Sequence, residues 1–180
     1  MEKTEIKKTI VSQQEYLDKE VAVSRTKLEE VLSHQDNAFV IILSGVRRAG
    51  KSTLLNIVRK RRKENNIINF DDNRLTGFKI NDFENLYESF IELFGEENTF
   101  YFDEIQNING WEIFVRRLHN ERRKVFITGS NAHLLSRELG THLTGRNIRI
   151  ELFPFSFKEY LDLINYQYSK KDFYSTVNHR

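Results

Sequence analysis

A glycine-rich octapeptide between an apolar run and a helical pattern constrains the fold of this chain more than any other feature. It runs from Gly45 to Ser52 and reads Gly-Val-Arg-Arg-Ala-Gly-Lys-Ser, which is the Walker A pattern. Apolar residues 39–43 precede it, and a helical pattern over residues 52–63 follows it. Gly45 and Gly50 can adopt backbone angles that other residues resist. The sequence therefore predicts a strand, a tight loop and a helix in direct succession.

The same octapeptide predicts a phosphate-binding loop. Such a loop points successive backbone N–H groups at a phosphate chain, and the N-terminus of the following helix adds positive charge. Lys51 is expected to reach the β- and γ-phosphates, and Ser52 to offer its hydroxyl to Mg²⁺. We expect the nucleotide to contact nine consecutive residues: Gly45, Val46, Arg47, Arg48, Ala49, Gly50, Lys51, Ser52 and Thr53.

Short apolar runs alternate with amphipathic helical patterns over most of the chain. Five β-rich runs cover residues 38–43, 67–70, 99–102, 124–128 and 148–152. Helical patterns cover residues 52–63, 82–94, 111–120 and 132–139, and a last helix is expected over residues 156–165. Strands that are apolar on both faces suit a parallel sheet covered by helices. The alternation therefore predicts an α/β fold with five parallel strands and right-handed crossovers.

The first part of the chain is less regular. Residues 1–10 are polar and are expected to be loose. Residues 13–33 are expected to form one or two helices, because five apolar residues fall at roughly helical spacing: Leu17, Val21, Leu28, Val31 and Leu32. We expect an N-terminal helical extension over residues 1–34, a core over residues 35–165 and a tail over residues 166–180.

Composition narrows the class of protein further. With 180 residues, 39% hydrophobic and 30% charged, the chain is expected to form one globular core. A net charge of +2 gives no electrostatic support for nucleic-acid binding. The absence of cysteine excludes disulfides and fits a reducing compartment. No apolar stretch approaches the roughly 20 residues of a membrane span, and residues 1–8 lack the apolar centre of a signal peptide. We expect a cytoplasmic protein without a membrane partner.

An apolar strand pattern ending in two acids supplies the second half of the predicted site. Residues 99–104 read Thr-Phe-Tyr-Phe-Asp-Glu, a Walker B arrangement. Asp103 is expected to hold Mg²⁺, directly or through water, because this metal prefers hard oxygen ligands. Glu104 is expected to polarise the water that attacks the γ-phosphate. Adjacent acids at a strand end are common, and a structural ion pair is the alternative for Glu104. The Walker A pattern upstream favours nucleotide binding beside these acids and leaves both roles of Glu104 open.

Two further candidates follow from the later strands. The run over residues 124–128 is followed by Gly-Ser-Asn at 129–131, which is expected to place a polar side chain beside the γ-phosphate. Ser130 is the first choice for this sensor and Asn131 the second, with a helix cap as the alternative role. Arg146 precedes the last strand, and in a homo-oligomer such an arginine can stabilise transition-state charge in a neighbour's site. The alternative for Arg146 is an ordinary surface arginine.

With these residues assembled, the chain resembles the AAA+-type P-loop ATPases of archaea and anaerobic bacteria that usually carry a C-terminal domain of unknown function. Six segments carry the resemblance: residues 44–55, 68–75, 102–112, 127–131, 144–146 and 154–160. The resemblance implies a sheet of strand order 5-1-4-3-2 with the nucleotide at the carboxyl ends of the strands. Members of the family continue into a lid and a C-terminal domain, for which residues 163–180 are too few.

The predicted function is an ATP-binding module that hydrolyses ATP with Mg²⁺. One alternative is a nucleotide-gated binding module with little hydrolysis, since the lid and its sensor arginine are missing. Another is a fragment of a DNA-associated ATPase. The cation clusters at residues 59–63 and 122–124 would serve it, although cations near a helix C-terminus also complement the helix dipole. No guanine-specificity motif is present, and adjacent acids at 103–104 favour water over a small substrate as the phosphoryl acceptor.

Overall fold

A five-stranded parallel sheet forms the centre of the fold, in a computed structural model that describes residues 1–130 and 145–164. The strands are β1 (Val40–Ser44), β2 (Ile67–Asn69), β3 (Thr99–Asp103), β4 (Lys124–Gly129) and β5 (Asn147–Glu151). Their spatial order is β2-β3-β4-β1-β5, the predicted order read from the other edge. The predicted parallel α/β fold is therefore confirmed.

Six α-helices lie within the described part of the chain. They are α1 (Lys3–Lys19), α2 (Leu28–Ser33), α3 (Lys51–Arg62), α4 (Phe83–Phe94), α5 (Trp111–Asn120) and α6 (Phe157–Leu163). The ends of α3, α4 and α5 agree with the sequence patterns to within one residue. The helix predicted over residues 132–139 lies outside the described residues. None of the helices that the structure describes has the length and apolar character that a membrane crossing requires.

Side chains of the inner strands alternate between two buried layers, as the two-residue period of a strand requires. One layer also contains residues of α1, α4 and α5, and its strand members include Ile42, Phe100, Phe102 and Ile127. The other layer contains residues of α2 and α3, and its strand members include Ile41, Leu43, Tyr101 and Phe126. Burial on both faces explains why these strands read as continuous apolar runs.

Helix α1 corrects the expectation that residues 1–10 are loose. Ile6 and Ile10 are fully buried, and α1 packs against α4 and β2. The Gln13 side chain accepts a hydrogen bond from the Asn69 N–H at 2.8 Å and donates to the Asn69 carbonyl at 3.0 Å, which ties α1 to the end of β2. Two isoleucines among polar residues are too weak a pattern to reveal this helix from sequence alone. The boundaries of the extension, core and tail stay predictions.

The connection between α1 and α2 contains a second correction. Val21 fits the helical spacing in the sequence, yet its side chain is 98% exposed and it lies in the non-helical segment between Lys19 and Leu28. Leu28 and Val31 of α2 are buried as the pattern predicts. The apolar pattern over residues 13–33 therefore combined residues of α1 and α2 with Val21, which belongs to the linker between these helices.

Candidate functional site

The carboxyl ends of β1, β3 and β4 meet at one edge of the sheet, and the predicted site residues follow these strands. The glycine-rich loop, residues 45–50, joins β1 to α3. Residues 103–104 close β3, and Ser130 follows β4. The structure therefore brings the Walker A loop, both acids and Ser130 together, as a parallel sheet requires of residues at the ends of adjacent strands.

The two glycines of the loop are required for different reasons. At Gly45 a Cβ atom would lie 2.1 Å from the backbone oxygen of Leu152, so no larger residue fits without movement of the backbone. Gly50 has φ +87°, a left-handed conformation that favours glycine, and it precedes the first residue of α3. Arg48 also has a positive φ of 65°. The loop is therefore a tight turn whose shape depends on its glycines.

The Lys51 ammonium lies at the mouth of the loop. Its Nζ donates to the carbonyl oxygens of Gly45 and Val46, each at 3.1 Å, and to Ser130 Oγ at 3.0 Å. The residue is only 4% exposed. A buried ammonium surrounded by the loop backbone is a strong point charge for a phosphate. The structure thus places the Lys51 ammonium between the backbone of the glycine-rich loop and Ser130.

Ser52 and Asp103 form the candidate magnesium site. Ser52 Oγ donates to Asp103 Oδ1 at 3.0 Å, and Thr128 Oγ1 donates to the same oxygen at 2.5 Å. Neighbouring oxygens around an octahedral Mg²⁺ lie about 2.9 Å apart when the Mg–O distances are 2.0–2.1 Å. The hydroxyl and the carboxylate therefore fit as neighbouring ligands of one ion.

The burial of Asp103 also favours a bound cation, because the ionised carboxylate is poorly stabilised without one. Burial raises the pKa of Asp103 to about 6, and the adjacent charge of Glu104 acts in the same direction. Hydrogen bonds from Thr128 and Ser52 oppose the shift without cancelling it. A bound cation would favour the ionised carboxylate, since opposite charges at short range stabilise each other.

Glu104 is held by three donors next to the lysine. Its Oε1 accepts from Ser130 Oγ at 2.6 Å, and its Oε2 accepts from Gln106 Nε2 at 2.5 Å and from Ser130 N at 3.2 Å. Oε1 also lies 3.7 Å from Lys51 Nζ. Burial would raise the pKa of Glu104, but the hydrogen bonds from Ser130 and Gln106 and the charge of Lys51 bring it below its usual range. The carboxylate is therefore an ionised acceptor at neutral pH.

Ser130 joins the two halves of the site, since its hydroxyl accepts from Lys51 and donates to Glu104. Asn131, the second candidate for this sensor, lies outside the described residues. The structure does not bring Arg146 to the same site. Its backbone oxygen accepts from Val40 N at the amino end of β1, and its guanidinium is 3.4 Å from Asn120 Oδ1. Within one chain, Arg146 therefore lies at the opposite edge of the sheet from Lys51.

The remaining loop residues differ in exposure. Ala49 is buried, whereas the side chains of Val46, Arg47 and Arg48 are exposed. Thr53 Oγ1 donates to Glu20 Oε1 at 3.0 Å, in the segment after α1.

A cavity of about 540 Å³ adjoins the candidate magnesium site. Its lining includes Ser52 and Asp103 on one side and residues of α1 and of the segment after β2 on the other, among them Gln13, Asp72 and Arg74. The Arg74 guanidinium holds the pKa of Asp72 well below its usual range, with a further hydrogen bond from Gln13. The segment over residues 68–75, which carries part of the sequence resemblance, thus forms part of the wall of this cavity.

Three residues of the site were missed in the sequence. Thr128 donates to Asp103, Gln106 donates to Glu104, and Arg25 Nη1 donates to the backbone oxygen of Ala49 at 2.6 Å. Gln106 is two residues from Glu104, so its proximity was a usable signal, whereas Thr128 reaches Asp103 only through the pairing of β3 with β4. Arg25 precedes Ala49 by 24 residues, and no spacing pattern relates it to the loop.

Fold and site together define a class, the P-loop nucleotide-binding proteins with an ATPase-like site between a glycine-rich loop and acids on a neighbouring strand. The model of the AAA domain family matches residues 37–161, and the chain belongs to this family.

Curated relatives share this part of the chain. MJ1544 of Methanocaldococcus jannaschii, described as an uncharacterized protein, is 41% identical over 138 residues, which cover 76% of this chain and 31% of the relative. An uncharacterized protein of Haemophilus influenzae is 37% identical over 147 residues, covering 77% of this chain and 37% of the relative. The chain thus spans about a third of the length of these relatives.

Solved structures of greater length are also similar. C. elegans PCH-2 is 14% identical with a TM-score of 0.47, and the match covers 94% of this chain and 49% of that one. AMPPCP-bound DnaA from Aquifex aeolicus is 18% identical with a TM-score of 0.48, covering 87% of this chain and 57% of that one.

Proposed function

We propose that this chain binds ATP together with Mg²⁺ and hydrolyses it. The observation that carries the proposal is the convergence of Lys51, Ser52, Asp103, Glu104 and Ser130 at one edge of the sheet. Hydrogen bonds of 3.2 Å or less join Lys51 to Ser130, Ser130 to Glu104, and Ser52 to Asp103. Membership of the AAA domain family supports nucleotide binding at this edge.

In the proposed mechanism the protein positions and stabilises charge, without a covalent intermediate. The loop amides of residues 45–50 and the Lys51 ammonium bind the phosphate chain. Ser52 and Asp103 would hold Mg²⁺, which neutralises phosphate charge when bound. Ser130, between Lys51 and Glu104, is placed to respond to the terminal phosphate.

Glu104 has the role of general base in this proposal. An ionised carboxylate accepts a hydrogen bond from water and orients it for attack on the terminal phosphorus. The contacts that lower the pKa of Glu104 keep it in this acceptor form. The 3.7 Å approach of Lys51 supports the same state, since the two opposite charges stabilise each other.

Hydrolysis is expected to depend on protein concentration. Arg146 lies at the opposite edge of the sheet from Lys51 within one chain, so Arg146 could reach the phosphates only from a second copy. We expect the specific rate of Mg-ATP hydrolysis to rise with protein concentration, and Arg146→Ala to lower it. A mixture of Arg146→Ala and Glu104→Gln chains should be more active than either alone, because one supplies an intact base and the other an intact arginine.

Equilibrium ATP binding, measured on the same samples, separates the two halves of the proposal. Bound ATP without turnover at any concentration would leave a nucleotide-gated binding module and overturn hydrolysis by this chain. Absence of ATP binding would overturn the whole proposal. Activity of the mixture that equals the average of its components would exclude a shared site.

Asp103→Asn is expected to remove the effect of Mg²⁺ on nucleotide affinity and to stabilise the metal-free protein. The pKa of Asp103 is raised from 3.8 to about 6, so stability falls as pH rises from about 4 to about 6. Two pKa units correspond to about 3 kcal/mol, which is the upper limit of the gain above pH 6. Thermal melts at pH 5 and pH 8 should show the larger gain at pH 8.

Asp82→Asn is the matched control for this variant, because Asp82 is also buried but pairs with the N-terminal amine at 2.6 Å, away from the loop. It should lose stability and keep the dependence of nucleotide affinity on Mg²⁺. An Asp103→Asn protein whose nucleotide affinity still responds to Mg²⁺ would contradict the assignment of Asp103 as a metal ligand.

A further inference from the structure

One buried arginine joins the glycine-rich loop to two segments that are distant in sequence. Arg25, in the connection between α1 and α2, is 5% exposed. Its Nη1 donates to the backbone oxygen of Ala49 at 2.6 Å, and its Nη2 donates to the backbone oxygen of Phe153 at 2.7 Å. Its Nε donates to Glu159 Oε1 at 3.0 Å. All three nitrogens of the guanidinium thus have partners, each on a different segment.

The Arg25 guanidinium contacts the glycine-rich loop at one place, the peptide group between Ala49 and Gly50. A Cβ atom on Gly50 would lie 2.7 Å from Arg25 Nη1, so the guanidinium occupies the space beside the loop that the missing side chain leaves. The Ala49 carbonyl that receives this hydrogen bond belongs to the peptide group that leads into Gly50 and α3. Because a peptide group is planar, fixing its oxygen also fixes the direction of the Gly50 N–H. Arg25 therefore acts on the backbone that is proposed to face the phosphates.

On the side of Arg25 that faces α6, the guanidinium pairs with a carboxylate that is itself held by several hydrogen bonds. Glu159 in α6 is 3% exposed, and its carboxylate also accepts from the Thr26 N–H at 2.9 Å and from the Ser156 N–H at 2.8 Å. Burial alone would raise the pKa of Glu159, but these hydrogen bonds and the Arg25 contact lower it to about 2. The Phe155 ring lies 4.6 Å from the guanidinium carbon. Arg25 is thus fixed from the α6 side by a charge, hydrogen bonds and an aromatic ring.

We propose that Arg25 is a positioning residue that sets the geometry of the glycine-rich loop for nucleotide and links that loop to α6. It contacts no predicted nucleotide-binding side chain and acts through the Ala49 backbone. Only a planar group with several fixed donors can reach the Ala49 carbonyl, the Phe153 carbonyl and Glu159 together, so lysine is not a substitute. The inference rests on the proposed function for its consequence in ATP binding, although the effect on the loop backbone is independent of any ligand.

A matched pair of variants tests this role. Arg59 is also a buried arginine, 3% exposed, that ties a core helix to the first part of the chain. Its Nε donates to Asn56 Oδ1 at 3.1 Å, and its Nη2 pairs with Asp18, away from the loop. Both Arg25→Lys and Arg59→Lys therefore remove a buried guanidinium, but only the Arg25 guanidinium contacts the glycine-rich loop. Amide hydrogen exchange of residues 49–51 in nucleotide-free protein is the first measurement, and equilibrium ATP affinity the second.

We expect Arg25→Lys to accelerate exchange at residues 49–51 and to weaken ATP binding roughly 10- to 100-fold, the scale of one hydrogen bond to a charged phosphate lost when the Gly50 N–H is misdirected. Arg59→Lys should leave both quantities near those of the unmodified chain. For Arg25→Ala, added guanidinium ion should restore part of the lost affinity. Equal effects of the two lysine variants on exchange and affinity would overturn the proposal and leave Arg25 a purely structural residue. If the unmodified chain binds no ATP, the proposed function fails, whereas the exchange comparison still tests the positioning role.

Discussion

Lys51→Met is expected to weaken ATP binding by roughly 100-fold or more. The ammonium is buried and donates to two carbonyl oxygens of the loop, each at 3.1 Å. Its loss removes charge-assisted hydrogen bonds to phosphate, worth about 1.5–3 kcal/mol each, while methionine keeps most of the side-chain volume. Calorimetric titration with ATP in the presence of Mg²⁺ measures the change directly.

Lys124→Met is the matched control. Lys124 begins β4, and Ser130 follows the other end of the same strand, so the two lysines lie at opposite edges of the sheet. Lys124 Nζ donates to the backbone oxygens of His34, Asn37 and Phe39 at 2.7–3.0 Å. Its replacement should reduce the free energy of unfolding and leave ATP affinity nearly unchanged. A Lys51→Met protein that retains full affinity would refute the proposed phosphate-binding role of Lys51.

Glu104→Gln is expected to bind ATP with little change in affinity and to lower its turnover by roughly 100-fold or more, since general bases typically contribute 10²- to 10⁴-fold. Glutamine has the same shape as glutamate, and its carbonyl can accept the hydrogen bonds from Gln106 and from the Ser130 backbone. The amide is a much poorer proton acceptor than the carboxylate. Single-turnover hydrolysis at saturating Mg-ATP separates this loss from any change in binding.

Glu64→Gln provides a closely matched comparison for this variant. The side chains of Glu64 and Glu104 are both 17% exposed, and each contacts the region of β3. Glu64, however, accepts from Thr99 and Tyr101 and pairs with Arg62, outside the candidate site. Turnover should therefore survive in Glu64→Gln. Comparable turnover in Glu104→Gln and the unmodified chain would sink the assignment of Glu104 as the base.

Most strands of the sheet could be predicted from the sequence because each one is marked by a short apolar run of its own. Residues of β3 and β4 are buried on both faces and therefore form uninterrupted apolar runs. Helix α5 has four buried apolar residues at helical spacing, which is enough to define its bounds. The first part of helix α1, over residues 3–10, was missed because only two isoleucines mark the buried face of the helix, and its other buried residues are Thr9 and Gln13. Polar residues that pack against a sheet leave no hydrophobic pattern.

The prediction of site residues used the same local signals and missed contacts that join distant segments of the chain. Lys51, Ser52 and Glu104 lie inside short motifs whose chemistry depends on neighbouring residues. Thr128 reaches Asp103 because β3 and β4 are paired with Phe102 opposite Ile127, a register that the sequence does not reveal. The contact between Arg25 and Glu159 spans 134 residues and has no periodicity. Such contacts depend on tertiary structure, and only the folded chain shows them.

The position of β1 between two strands that come later in the sequence has a consequence for how the protein folds during synthesis. Both neighbours of β1 in the sheet, β4 and β5, are synthesised long after it, and the loop that follows β1 contacts Leu152 at Gly45 and, through Arg25, Phe153. Contacts between residues so distant in sequence form late, because closing long loops is entropically costly. On the ribosome, the glycine-rich loop is therefore expected to stay unfinished until nearly the whole core has emerged. A nucleotide would then bind during synthesis only after the core has folded, and it would not assist the early steps of folding.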